Sequence, residues 1–155
     1  MMTTNGQHAS VAVHERQAWL AVLAHASVSA LERTWFTLQP QPLYDFLRTP
    51  ETGLVQIRAR VSGNGQQFNL GEATVSRCVV QLHSGAVGVG YVLGRERRHA
   101  ELVAVFDAML QSATYRQPLH DTIAAMAANQ EHRKRQAAED VATTKVNFFT
   151  MVRGE

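Results

Sequence analysis

Residues 54–65 read Leu54-Val55-Gln56-Ile57-Arg58-Ala59-Arg60-Val61-Ser62-Gly63-Asn64-Gly65. Val55, Ile57, Ala59 and Val61 alternate with Gln56, Arg58, Arg60 and Ser62, so an extended chain carries its apolar side chains on one face, as a half-buried strand does. Gly63-Asn64-Gly65 then supplies a turn. Working outward, residues 74–82 are β-prone, His83-Ser84-Gly85 is a second turn, and residues 86–93 form a further strand. Upstream, residues 44–47 read as an earlier strand, joined through Glu51-Thr52-Gly53. Connections this short make neighbours antiparallel. The spacing predicts a meander of about four strands.

Helical spacing flanks this β region. Trp19, Val22, Leu23 and Ala26 recur at i, i+3, i+4 and i+7. Ser29 and Glu32 have capping-box spacing, Leu31, Trp35 and Leu38 continue a second stripe, and Pro40 and Pro42 stop it. After Gly94, residues 95–112 return to helical periodicity through Leu102, Val103, Phe106 and Leu110. Pro118 and Asp121 open another helix carrying Ile123 and Met126. The expected class is α+β: an antiparallel sheet of about four strands, plus a C-terminal β-prone segment, with helices before and after it.

Three regions are expected: a loose N-terminal tail over residues 1–10, an α+β domain over 11–125, and an arm over 126–155. The arm has no bulky apolar residue between Met126 and Val141, and its fourteen intervening residues span about 21 Å if helical. It ends in Val146-Asn147-Phe148-Phe149-Thr150-Met151-Val152, β-prone and apolar on both faces. Such a strand inserts centrally in its own sheet or adds to another chain, the polar arm favouring a partner chain; alternatively the arm folds back beside its own helices.

Composition narrows the function. The chain has 155 residues, 45% apolar and 18% charged, which suits one domain and excludes wholesale disorder. The single Cys, Cys78, excludes an internal disulfide and any all-Cys metal or cluster site. No apolar run approaches the roughly 20 residues of a membrane helix, and residues 1–10 lack a signal-peptide pattern. A soluble, cytoplasmic setting with no membrane partner is expected. The formal net charge of +2 is too small for a nucleic-acid footprint. Of 15 basic residues 13 are Arg, which suits bidentate contacts to carboxylate or phosphate and also fits a genome rich in Arg codons.

Conventional catalytic motifs are absent: there is no His-Glu-x-x-His helix, no Gly-x-Ser-x-Gly elbow and no phosphate-binding loop. His99-Ala100-Glu101 matches half of a zinc-deaminase signature whose Cys pair is missing. The seven His lack ligand spacing, so no metal is expected. Gly88 and Gly90 share one strand face, which points to a helix packed closely on the sheet. The sharpest cluster is Arg95, Arg97, Arg98 and His99 in the first turn of a helix, where cations oppose the macrodipole by about 0.3–1 kcal/mol each. A bound anion or an acidic partner reverses that penalty; alternatively Glu96 and Glu101 neutralise the cluster. Arg77, on the neighbouring strand, joins it if the register permits.

Glu51-Thr52-Gly53-Leu54, Phe68-Asn69-Leu70-Gly71-Glu72-Ala73-Thr74-Val75, Arg77-Cys78, Gly90-Tyr91-Val92-Leu93-Gly94-Arg95, His99-Ala100-Glu101 and Phe148-Phe149-Thr150-Met151-Val152-Arg153-Gly154 occur in this order. From about Arg16 to Gly154 the chain resembles the PhnG family, the small G subunits of the bacterial carbon–phosphorus lyase core complex. Ser76 stands where Thr is expected and Asn147 where Asp is usual. The resemblance implies a cytoplasmic subunit working with the H, I and J subunits and the L protein. It also implies transfer of the ribose 5-triphosphate moiety of MgATP to an alkylphosphonate, with release of adenine. The chain alone is expected to bind no cofactor, MgATP being the substrate of the complex. Its role is expected to be assembling and shaping the I subunit. The candidate anion or partner contacts are Arg77, Arg95, Arg97, Arg98 and His99, and the candidate assembly contacts are Phe148, Phe149, Met151 and Arg153; no catalytic residue is assigned.

Overall fold

The computed structural model describes residues 5–143. Its elements run α1 (Asn5–His25), α2 (Val28–Thr37), β1 (Tyr44–Arg60), β2 (Gln67–Leu82), β3 (Val87–Leu93), α3 (Arg97–Gln111) and α4 (Ala113–Thr143). The class is α+β, and the three strands form one antiparallel sheet in the order β1-β2-β3.

The sheet has three strands where about four were expected. The two upstream segments are one strand, because the chain runs through Pro50 and Glu51-Thr52-Gly53 without turning. The ladder shifts register between Phe46 and Arg48 and again between Arg48 and Glu51. β1 is an edge strand, where a proline forfeits no ladder bond and an irregularity is absorbed as a bulge. Proline and glycine here bend a strand; they do not end it.

α3 is the centre of the molecule. Every residue from Leu102 to Leu110 is buried, together with His99 and Ala100. A helix buried all round needs partners on all sides. The sheet covers one side, and α1, α2 and α4 cover the rest. Close approach to β3 is set by glycine: a Cβ at Gly90 would stand 1.8 Å from the Ala100 carbonyl oxygen, and one at Gly88 would stand 1.9 Å from that of Ala104. Ala100, Ala104 and Ala108 form the matching small stripe.

The helix starts differ from the sequence reading. α2 is capped by Ser27, whose Oγ accepts from the Ala30 N–H at 3.3 Å, and Glu32 of the expected capping box instead reaches Arg98. α4 begins at Ala113, so Pro118 lies inside the helix, one residue before the buried Leu119. α1 begins at Asn5, within the stretch read as a tail, and α4 crosses residue 126 without a break.

Asp107 ties three elements together. Its buried carboxylate accepts from Arg16 Nε at 3.1 Å and Nη2 at 2.7 Å, from Trp19 Nε1 at 2.9 Å, and from the Val89 backbone N–H at 2.9 Å. Its hydrogen bond to Arg16 raises that guanidinium's pKa further. The last contact occupies an N–H on the free edge of β3, and Gln111 Nε2 donates to the Val87 carbonyl on the same edge at 2.7 Å. This edge is therefore blunted by side chains.

Candidate functional site

The inner face of the sheet carries Ser76, Cys78, Val80 and Leu82 from β2 with Gly88, Gly90 and Val92 from β3, all buried. Because side chains alternate, the partners on the opposite face follow from the register. Val75 faces Leu93, Arg77 faces Tyr91, Val79 faces Val89, and Gln81 faces Val87. Among the described residues no helix covers that face: Val75 in the central strand is buried, but Leu93 is 74% exposed and Tyr91 47%, with Val87 and Val89 also open.

The same face continues beyond β3. The β1–β2 hairpin runs on past the Val75–Leu93 pair as a two-stranded ribbon to its turn at residues 61–66. Val55 opposes Ala73, Ile57 opposes Gly71 and, after a bulge, Ala59 opposes Phe68. Ile57 is 41% and Phe68 44% exposed on this face, and Leu54, which opposes Thr74 on the other side of the ribbon, and Leu70 at the bulge are more open still. A two-stranded ribbon is marginal by itself in water, and an apolar one exposed along its length calls for a cover. Within this surface Arg77 Nε meets Glu51 Oε1 at 2.6 Å. That hydrogen bond holds the Glu51 carboxyl below its usual range.

The five cationic candidates are divided among different surroundings. Arg77 lies on the open face against Glu51 and Tyr91. Gly94, with φ at +97°, turns the chain out of β3, and its N–H donates to the Thr74 carbonyl at 2.8 Å. That tie places the turn three residues, or about 10 Å, along β2 from Arg77. Ser76 Oγ donates to the Gly94 carbonyl at 2.9 Å, a job its hydroxyl performs as a threonine's would. Arg98 turns inward to Glu101 at 2.9 Å and Glu32 at 3.5 Å. His99 is buried, its Nε2 at 3.0 Å from the Leu23 carbonyl oxygen. Arg95 and Arg97 stay exposed and form no ion pair among the described residues. Phe148, Phe149, Met151 and Arg153 lie outside the described residues.

Two polar groups near the core are tuned by burial. Cys78 is buried in the sheet, and burial pushes its thiol up to about 11. Burial, reinforced by its 2.7 Å hydrogen bond to Glu101, pushes the Tyr44 phenol up to about 12. Among the described residues no group of three His, Cys, Asp or Glu side chains is placed to hold a metal ion. No described helix is long and apolar enough to cross a membrane.

Sequence reasoning missed the open face although its signal was present. Val87-Gly88-Val89-Gly90-Tyr91-Val92-Leu93 contains no charged or amide side chain. A strand apolar on both faces belongs to a sheet covered on both faces.

One face of the sheet is covered by helices, and among the described residues the other is left open, with a row of apolar side chains along β3 and the ribbon. Residues 14–154 match the family described as phosphonate metabolism protein PhnG, and the chain belongs to that family. It is 44% identical over 146 residues, 92% of each chain, to the alpha-D-ribose 1-methylphosphonate 5-triphosphate synthase subunit PhnG of Rhizobium meliloti (strain 1021).

Proposed function

We propose that this chain serves as the G subunit of such a synthase and that the open sheet face with its ribbon is where a larger subunit docks. The observation that carries this reading is the continuous apolar surface from Val87 and Tyr91 through Leu93 to Ile57 and Phe68, which no part of the described chain covers. Full burial of one large apolar side chain is worth about 1.5–3 kcal/mol, so sealing several of them can hold a stable subunit contact. The complex would move the ribose 5-triphosphate moiety of MgATP onto an alkylphosphonate. A phosphonate oxygen forms the new bond to the anomeric carbon while the bond to adenine breaks and the base leaves with a proton.

In this reading the partners are the H, I and J subunits and the L protein, with the I subunit in direct contact. This chain shapes that partner, and the transfer chemistry belongs to the partner. Arg95 and Arg97, exposed beside the ribbon, would meet an acidic surface or phosphate groups at the margin of the contact. Residues 146–155 would add a second attachment. The protein would act in the cytoplasm.

Ile57→Glu with Tyr91→Glu, co-expressed with the other subunits, tests the proposal. The expected outcome is a folded chain that no longer co-purifies with the I subunit, and loss of adenine release from MgATP and methylphosphonate. Normal co-purification and normal adenine release would refute it. A chain that releases adenine unaided would make it an autonomous enzyme instead.

A further inference from the structure

The two edges of the sheet are finished differently. On β3 the edge is closed from within: Asp107 accepts from the Val89 N–H at 2.9 Å, and Gln111 donates to the Val87 carbonyl at 2.7 Å. On β1, among the described residues, no loop or side chain bonds the outward main-chain groups of residues 52–56.

Which groups point outward follows from the ladder. In an antiparallel pair a residue turns both main-chain groups toward the same neighbour, and successive residues alternate. The Gly94 N–H bonds the Thr74 carbonyl, so Thr74 spends its groups on the β3 side. Its partner across β1 is Leu54, which therefore faces away from β2. Pairing runs without a shift from Glu51–Arg77 to Ile57–Gly71, so Thr52, Leu54 and Gln56 all present N–H and C=O to the open side. They recur about every 7 Å.

This stretch is bounded at both ends. Toward the start of β1 lie two register shifts and Pro50, and past Ile57 lie a further shift, Arg58 and Arg60. Such devices keep strand edges from pairing. Residues 51–57 have none of them: no proline, no basic residue, and one acid, Glu51, already held by Arg77. Two arginines stand against one carboxylate at each end. Arg48 and Arg77 meet Glu51 at 3.4 and 2.6 Å, and Arg58 and Arg60 follow Gln56, whose partner is Glu72. A second copy pairing antiparallel through this stretch would bring positive end to positive end.

We propose that β1 accepts an added strand from a partner subunit: an extended segment of about seven residues, uncharged through its middle and acidic at both ends. Only an extended chain matches a row of main-chain donors and acceptors at strand spacing. The proposal rests on the assembly role argued above, but it concerns the edge of the sheet and not the open face.

The test is hydrogen exchange resolved to single amides, in the free chain and in its complex with the other synthase subunits. In the free chain the Thr52, Leu54 and Gln56 amides are expected to exchange fast, and those of Gly53 and Val55, bonded to β2, slowly. Assembly is expected to slow the first three by about tenfold or more. Leu54→Pro removes one outward N–H at an edge that tolerates proline, and is expected to weaken retention in the complex by about tenfold. Gln56→Pro repeats the test at a second position, with an unchanged thermal transition showing that either variant is folded. Fast exchange at the three amides in a complex that shields Leu93→Cys from alkylation overturns strand addition and leaves face docking standing. The reverse pattern upholds strand addition and overturns face docking. Slow exchange at the three in the free chain overturns the proposal, because a second copy or residues 144–155 would already occupy the edge. No change at either place overturns both.

Discussion

Asp107 shows how much one side chain carries. Four N–H donors from α1 and β3 converge on it, and it is fully buried. Asp107→Ala leaves a half-buried guanidinium, an indole N–H and a strand N–H without their acceptor, and is expected to cost about 3–5 kcal/mol in urea denaturation. In the sequence this residue is only a polar interruption of the apolar run 102–110, and its side-chain partners Arg16 and Trp19 stand 91 and 88 positions away, so periodicity could not find it. Cys78 sits in an apolar strand, a sequence setting that suits a buried thiol. With its pKa pushed up to about 11, it is expected to resist a thiol reagent at pH 8 in the native chain and to react once the chain is unfolded in urea. Tyr44 supplies a pH test. Its neutral form is favoured by folding, so its contribution is whole below pH 10 and is lost as pH rises toward about 12. Tyr44→Phe is expected to flatten stability over that interval, measured by denaturation at a series of alkaline pH values.

At the scale of elements, the α3–β3 contact is set by absent side chains. Gly90→Ala would drive a methyl into the Ala100 carbonyl, and separating helix from strand is expected to cost about 1–3 kcal/mol or more. Gly71→Ala on the ribbon, where nothing lies within 4 Å, is expected to leave the thermal midpoint nearly unchanged. The shared face of Gly88 and Gly90 was readable before any coordinates, because strand alternation is a period of two. β1 was misread as two strands for the opposite reason. Thr49-Pro50-Glu51-Thr52-Gly53 has turn chemistry, yet only pairing with β2 decides whether such residues turn the chain or bulge it. The cap of α2 slipped by two residues because Ser27 and Ser29 are both competent caps, and tertiary contacts chose between them.

At the scale of the molecule, the sequence shows which side chains share a face and not which face finds a cover. Alternation in residues 55–61 was taken to mean one buried side, whereas the structure leaves Ile57 and Phe68 open and seals the sheet only where α3 lies. The cationic cluster was legible as a run and divides in space: Arg98 and His99 serve the helical core, Arg77 meets Glu51 on the sheet, and Arg95 and Arg97 remain at the surface. Local sequence brings such residues together, but strand and helix directions then separate them. The most direct measurement of the central claim uses Leu93→Cys, since the native Cys78 is buried and leaves this site the reactive thiol. Alkylation should be fast in the free chain and suppressed after assembly with the other synthase subunits. Equal rates in the free chain and in the assembled complex would contradict the account.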